Sequence, residues 1–135
     1  MSDQASVLDP KRTALLVMDF QQDVLRRIPG LEPLVARVQG AIVVRKTRVG
    51  AMSTTDLDRR LRDRGIDTLV LAGISTSGVV LSTVVEATDR DYRLYVLSDG
   101  TEDPDEQARD VLLGRIFPRR AQIIDTATLR GLLSP

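Results

Sequence analysis

The chain has 135 residues, a length that favours a single domain over residues 1–135 and suffices for a substantial core. Its 19 basic and 19 acidic residues cancel, which argues against nucleic acid as a main partner because phosphate binding needs an excess of cations. The sequence has no cysteine and no histidine, which excludes thiolate catalysis, histidine-ligated zinc and Ser-His-Asp hydrolysis by this chain alone.

Strand and helix patterns alternate along the chain. Continuous apolar runs predict strands buried on both faces, and capping residues, glycines and apolar spacing predict the helices between them. The predicted strands are 13–18, 41–44, 68–72, 94–97 and 121–124, and the predicted helices are 31–39, 54–64, 77–90, 103–115 and 126–133. This alternation predicts an α/β protein whose doubly wound, mostly parallel sheet carries helices on both faces in three layers.

Two of the helices carry detailed local predictions. Residues 53–56 have the spacing of a capping box that opens helix 54–64. Asp103 is the predicted N-cap of helix 103–115, with Pro104 in the first helical position. The predicted inward-facing residues are Leu57 and Leu61 in the first helix and Val111, Leu112 and Ile116 in the second.

The membrane and the secretory pathway are not indicated. No apolar run approaches the roughly 20 residues of a membrane span, and the N-terminus lacks the apolar core of a signal peptide. We therefore expect a cytoplasmic protein without a membrane partner. In the absence of histidine, proton transfer falls to Asp, Glu, Lys or Tyr.

Polar residues follow three predicted strands, at the sheet edge where open parallel sheets bind ligands. Asp19, Gln21 and Asp23 follow the first strand, Lys46 follows the second, and 75–78 follow the third. If the first two strands are neighbours, Asp19 and Lys46 can meet, and an ammonium group beside a carboxylate keeps it ionised or shares a proton with it. The alternative is that these residues are turn caps and a surface lysine.

The stretch 73–78 has the form G-x-x-x-x-G but is not a phosphate loop, because Val79 and Val80 stand where Lys and Ser/Thr are needed. The backbone N–H groups of this helix start, with the hydroxyls of Ser75, Thr76 and Ser77, suit a developing oxyanion or a carboxylate ligand. The alternative is an ordinary N-cap in which Gly78 allows close helix packing.

Five ordered stretches carry a family resemblance. They are 14–23 (ALLVMDFQQD), 43–46 (VVRK), 67–83 (DTLVLAGISTSGVVLST), 90–93 (RDYR) and 96–99 (VLSD). Each is weak alone, but their order and spacing resemble those of the isochorismatase-like hydrolase superfamily, which includes nicotinamidases and N-carbamoyl amidohydrolases. The resemblance implies that superfamily's α/β fold and, if the chain is active, a small-molecule substrate.

The superfamily's usual catalytic trio is Asp, Lys and Cys. By resemblance the first two fall on Asp19 and Lys46, and the third on Val79, which has no nucleophilic atom for an acyl-enzyme route. Isochorismatases proper also lack the cysteine and protonate a vinyl ether with the Asp. Asp19 could do the same, oriented by Lys46 and Gln21. The unusual cis peptide of the superfamily would fall at Ile74–Ser75.

The chain also departs from the superfamily in length. Relatives carry a strand and helices before the segment that matches 42–46, whereas here Gly40 leads directly into Ala41. That block supplies part of the pocket and, in nicotinamidases, metal ligands, so we expect neither a metal nor another cofactor. Its loss leaves strand 13–18 beside a gap that 42–46 or another chain must fill, which favours a homodimer or larger homo-oligomer.

Three functions remain open from the sequence. The first is hydrolysis without a thiol, with Asp19 as general acid or base and Lys46 as its partner. The second is a binding or assembly protein with a relic site. The third uses a hydroxyl of Ser75, Thr76 or Ser77 as nucleophile, and it ranks last because only Lys46 is available as its base. The predicted substrate-binding residues are Gln21, Ser75, Thr76, Ser77, Gly78 and Val79.

Overall fold

The computed structural model describes residues 8–18, 52 and 56–133, and all structural statements below concern these residues. The strands β1 (Thr13–Met18), β2 (Thr68–Ile74), β3 (Arg93–Glu102) and β4 (Gln122–Ile124) form one sheet in sequence order, and each neighbouring pair is parallel. The predicted parallel α/β sheet is confirmed. The predicted helix 31–39 and strand 41–44 lie outside the described residues.

Helices connect the strands and close the described chain. The helical elements are α1 (Leu57–Asp63), a π-helical turn (Thr76–Val80) continuing into α2 (Leu81–Asp89), α3 (Glu106–Val111), a second π-helical turn (Leu112–Ile116), a 3-10 turn (Phe117–Arg119) and α4 (Thr126–Leu133). Within the described part of the chain, no helix is long and apolar enough to cross a membrane.

The core is divided between the two faces of the sheet. Successive side chains of β2 point to opposite faces, so Leu69 and Leu71 join one apolar cluster while Val70 and Ala72 join the other. The first cluster includes residues of α1 and α2, and the second includes Leu129 and other residues of α4. Helices on both faces make three layers and explain why β2 is apolar throughout.

The helix after β3 begins later than the sequence predicts. Its N-cap is Asp105, whose side chain accepts a hydrogen bond from the N–H of Ala108 at 3.1 Å. Pro104 therefore lies before the cap and not in the first helical position. The predicted cap, Asp103, is wrong because its carboxylate binds a different helix start, described below.

The predicted inward faces are mostly confirmed. Leu57, Leu61 and Leu112 are buried, but Val111 is 48% exposed, so its inward prediction is wrong. Adjacent helical residues point about 100° apart, and here Leu112 takes the core-facing place. The first helix starts at Leu57, with Asp56 as its N-cap and 53–55 outside the described residues.

Candidate functional site

The candidate site lies where β1 and β2 end. Met18, the last residue of β1, pairs with Gly73 of β2. A Cβ placed on Gly73 would lie 2.7 Å from the carbonyl oxygen of Met18, so only glycine allows the strands to approach this closely. β2 ends at Ile74, directly before Ser75. The end of β1 and the turn after β2 therefore share one edge of the sheet.

The turn 75–79 begins with the cis peptide Ile74–Ser75, at the position that the family resemblance implied. Ser75 is the N-cap residue, and its carbonyl oxygen accepts hydrogen bonds of 3.2 Å from the N–H groups of Gly78 and Val80. The bond from Val80 spans five residues and gives the turn its π-helical width.

Gly78 makes room for the Ser75 side chain. A Cβ at Gly78 would lie 2.6 Å from the Ser75 hydroxyl oxygen. Ser75 is half-buried, and its side chain makes no capping hydrogen bond within the described residues. The alternative prediction of an ordinary N-cap is therefore not what the Ser75 side chain does here.

Thr76 is tied to the end of β3. Its hydroxyl lies 2.6 Å from the hydroxyl of Thr101, and the two residues are 0% and 2% exposed. Each hydroxyl thus satisfies the other where water has no access. A side chain that is buried and already engaged is poorly placed to attack a substrate.

Ser77 is held by Asp103 through two donors. Its N–H and its hydroxyl both donate to Oδ2 of Asp103, at 2.7 and 2.6 Å. The other oxygen, Oδ1, accepts from the N–H of Asp105 at 2.9 Å. We call this arrangement the Asp103 clamp.

The Asp103 clamp keeps its carboxylate ionised. The Ser77 hydroxyl lowers the pKa of Asp103 below its ordinary value, partial burial opposes this, and the N–H groups of Ser77 and Asp105 lower it further. A carboxylate with a lowered pKa is a weak base, so it accepts the Ser77 hydroxyl proton as a hydrogen bond without removing it. The clamp thus orients Ser77 without activating it as a nucleophile.

Val79 lies in the core beside the end of β1. It is 2% exposed and belongs to the same apolar cluster as Met18. Thr83, one helical turn further on, donates its hydroxyl to the sulfur of Met18 at 3.5 Å. The position at which the resemblance places the superfamily's cysteine is therefore close to the point where β1 ends.

Three predicted site residues, Asp19, Gln21 and Lys46, lie outside the described residues, so their meeting at this edge stays a prediction. Beyond Lys46, the next described residue is Met52, which is 3% exposed and in the same cluster as Val79. The N–H of Met52 donates to the Glu86 carboxylate of α2 at 3.0 Å.

Arg109 fixes the irregular end of β3. The pairing of β2 with β3 shifts between Leu71 and Gly73, which interrupts the regular ladder. Arg109 donates from Nη2 to the carbonyl oxygen of Ser98 at 2.6 Å and from Nε to that of Thr101 at 3.1 Å. One guanidinium thereby holds both sides of the irregular segment.

A second clamp uses the same irregular segment. Oδ1 of Asp99 accepts from the N–H and the hydroxyl of Thr126, at 2.9 and 2.8 Å. Thr126 is the first residue of α4. This Asp99 clamp repeats the two-donor chemistry of the Asp103 clamp at a different helix start.

Sequence reasoning missed the residues of β3, of α3 and of the loop between them that hold the turn. Thr101, Asp103 and Arg109 act over contacts 8 to 26 residues long, which no local pattern shows. One local signal existed in Asp103-Pro104-Asp105, because only one of the two aspartates can cap the helix that follows.

The fold and the site define a parallel α/β protein with polar groups at the carboxyl ends of its strands, the usual ligand edge of such sheets. The family model described as Isochorismatase domain matches residues 28–128, and the chain belongs to the isochorismatase family.

Its relatives include the uncharacterized isochorismatase family protein YwoC of Bacillus subtilis, 39% identical over 87 residues that cover 64% of this chain and 46% of YwoC. The ureidoacrylate amidohydrolase RutB of Variovorax paradoxus is 35% identical over 95 residues, covering 70% of this chain and 34% of RutB. The chain thus spans less than half the length of these relatives.

A solved isochorismatase family protein from Burkholderia thailandensis has a TM-score of 0.74 and 25% identity, and the match covers 93% of this chain and 97% of that one. The overall architecture described above is therefore that of the family.

Proposed function

We propose that this chain is a hydrolase of a small molecule that works without a thiol, with Asp19 as general acid or base and Lys46 as its partner. The supporting observation is the convergence of Met18 and the turn 75–79 at one edge of the sheet. Asp19 follows Met18, the last residue of β1, directly in the sequence.

Val79 favours one substrate class over another. RutB is named an amidohydrolase, and the resemblance gives amidases a cysteine at the position of Val79. Valine cannot form the acyl intermediate, because it has no nucleophilic atom. We therefore favour a vinyl ether, whose hydrolysis needs an acid and a water molecule but no protein nucleophile.

The proposed reaction balances with water alone. Asp19 donates a proton to the terminal carbon of the vinyl ether, which leaves an oxocarbenium ion at the adjacent carbon. Water adds to that carbon, the alcohol leaves, and a ketone with a new methyl group remains. Lys46 and Gln21 orient the Asp19 carboxyl group, and one proton from water restores it.

Hydroxyl nucleophiles receive less support. Thr76 is buried against Thr101, and Ser77 is held by an ionised carboxylate. Of the three predicted hydroxyls this leaves Ser75, for which only Lys46 was predicted as a base.

A second candidate function is assembly without catalysis. β1 is an outer strand of the described sheet, and Leu15, Leu16 and Val17 are only half-buried there. Apolar side chains on an outer strand favour pairing with another strand. Under this alternative a second copy of the chain supplies it, and the predicted homodimer or larger homo-oligomer would be the functional unit.

Turnover of vinyl-ether and amide substrates separates these candidates. We expect vinyl-ether hydrolysis by the wild type and a loss of about 100-fold or more in kcat for Asp19→Asn and Lys46→Met. Lys11→Met is the matched control, because Lys11 is the chain's other lysine and is exposed, and it should retain wild-type kcat.

Activity that survives both Asp19→Asn and Lys46→Met would contradict the proposed mechanism. No turnover by a folded wild type that forms a stable oligomer would favour assembly.

A further inference from the structure

We propose that Asp103 is a positioning residue of the candidate site: its carboxylate holds the turn 75–79 in the orientation that catalysis requires. The inference rests on the proposed function and adds to it a residue directly after β3 that the family resemblance does not mark.

The geometry of the clamp fixes both partners. Ser77 stands midway between Ser75 and Val79, so a group that holds Ser77 holds the centre of the turn. Two donors of Ser77 converge on one oxygen of Asp103, and the N–H of Asp105 fixes the other oxygen. Hydrogen bonds to an ionised acceptor are shorter and stronger than those between neutral groups, which suits a positioning role.

The turn has few other means of orientation within the described residues. Its own N-cap residue, Ser75, makes no side-chain capping bond there. The hydroxyl contact between Thr76 and Thr101 also runs to the end of β3, and Arg109 holds the carbonyl oxygen of Thr101. The orientation of the turn is therefore set from β3 and not only by the strand that precedes it.

The Asp99 clamp provides a matched control. Asp99 holds the N–H and hydroxyl of Thr126 at distances within a few tenths of an ångström of those in the Asp103 clamp. Its helix, α4, packs against the opposite face from Val79. Loss of either carboxylate should loosen one helix start, but only one of these starts carries the candidate site.

The test compares Asp103→Asn with Asp99→Asn in the full chain by two readouts. Amide hydrogen exchange of 76–80 reports how firmly the hydrogen bonds of the turn are held, and steady-state kinetics with a vinyl ether reports catalysis. We expect Asp103→Asn to speed exchange at Ser77 about tenfold and to lower kcat about tenfold or more with little change in KM.

Asp99→Asn should speed exchange at the start of α4 and keep kcat within about twofold of the wild type. Ser77→Ala should reproduce part of the Asp103→Asn effect, and Ser77→Thr, which keeps a hydroxyl, should restore most of the wild-type kcat. This rescue separates positioning from a general loss of stability.

Equal losses of kcat in Asp103→Asn and Asp99→Asn would overturn the proposal, as would unchanged exchange at 76–80 in Asp103→Asn. A wild type without turnover would overturn the proposed function instead. The exchange readout would then still decide whether Asp103 orients the turn.

Discussion

Two helix starts lie at the same edge of the sheet, that of α4 and that of the turn 75–79. Each is held by an aspartate that accepts two hydrogen bonds from one residue. α4 has a local cap, because Asp125 accepts from the N–H of Thr128 at 2.7 Å, and the Asp99 clamp adds to it. The turn 75–79 has Ser75 in the cap position without a side-chain capping bond within the described residues, and Asp103, directly after β3, holds the turn.

The difference shows that a helix start can be stabilised without a capping bond from the side chain of its own N-cap residue. In α4 the residue before the helix stabilises the helix itself. At the candidate site the distant carboxylate of Asp103 takes over that role, and the Ser75 side chain makes no capping bond within the described residues. A residue directly after β3 therefore does what the local cap does in α4.

The buried contact between Thr76 and Thr101 should give the largest stability effect. Thr76→Val leaves the Thr101 hydroxyl buried without its partner, which should lower the free energy of unfolding by about 1–3 kcal/mol. Urea unfolding measures the change, and the double variant Thr76→Val/Thr101→Val should recover part of it. Wild-type stability in Thr76→Val would show that the contact between Thr76 and Thr101 does not stabilise the turn 75–79.

Arg109 should affect both helix starts at once. Arg109→Met removes the bonds to Ser98 and Thr101, and we expect a loss of about 1–2 kcal/mol together with faster exchange at the starts of both helices. Arg115→Met, at an exposed arginine of the following turn, should change stability by less than about 0.5 kcal/mol. Faster exchange at only one start would mean that Arg109 supports that helix start and not the other.

Gly78 tests the space around Ser75. In Gly78→Ala the new Cβ forces the Ser75 hydroxyl to another rotamer, at a cost of about 0.5–1.5 kcal/mol. The double variant Gly78→Ala/Ser75→Ala should remove most of this cost. The corresponding control in α4 is Gly131→Ala, where an added Cβ would meet nothing within 4 Å. A loss in Gly131→Ala as large as that in Gly78→Ala would contradict the crowding at Ser75.

The pH dependence of stability should give the smallest effect. The folded-state pKa of Asp103 lies below its ordinary value of 3.8. Its contribution is therefore fully present above about pH 4 and is lost as the pH falls through the lowered pKa. Asp103→Asn should flatten the stability curve below about pH 4, as measured by urea unfolding at a series of pH values. An unchanged acid limb would mean that the carboxylate is not held in its ionised form.

The fold was predictable because its signals are local. The apolar runs at 13–18 and 68–72 and the glycine at 65, with a φ of +74°, specify strands and a helix end without distant information. The details of the turn were not predictable. The sequence predicts Asp103 as a helix cap. Only the structure shows that it binds Ser77, which lies 26 residues earlier in the chain.

Asp19 is proposed to supply the proton in a hydrolysis that needs no thiol, and vinyl-ether hydrolysis in D₂O follows that proton into the product. The wild type should place one solvent deuteron in the new methyl group of each product molecule, with product incubated alone as the control for exchange. Asp19→Asn should lose this turnover while remaining folded. Undiminished deuterium incorporation during turnover by Asp19→Asn would show that another group supplies the proton.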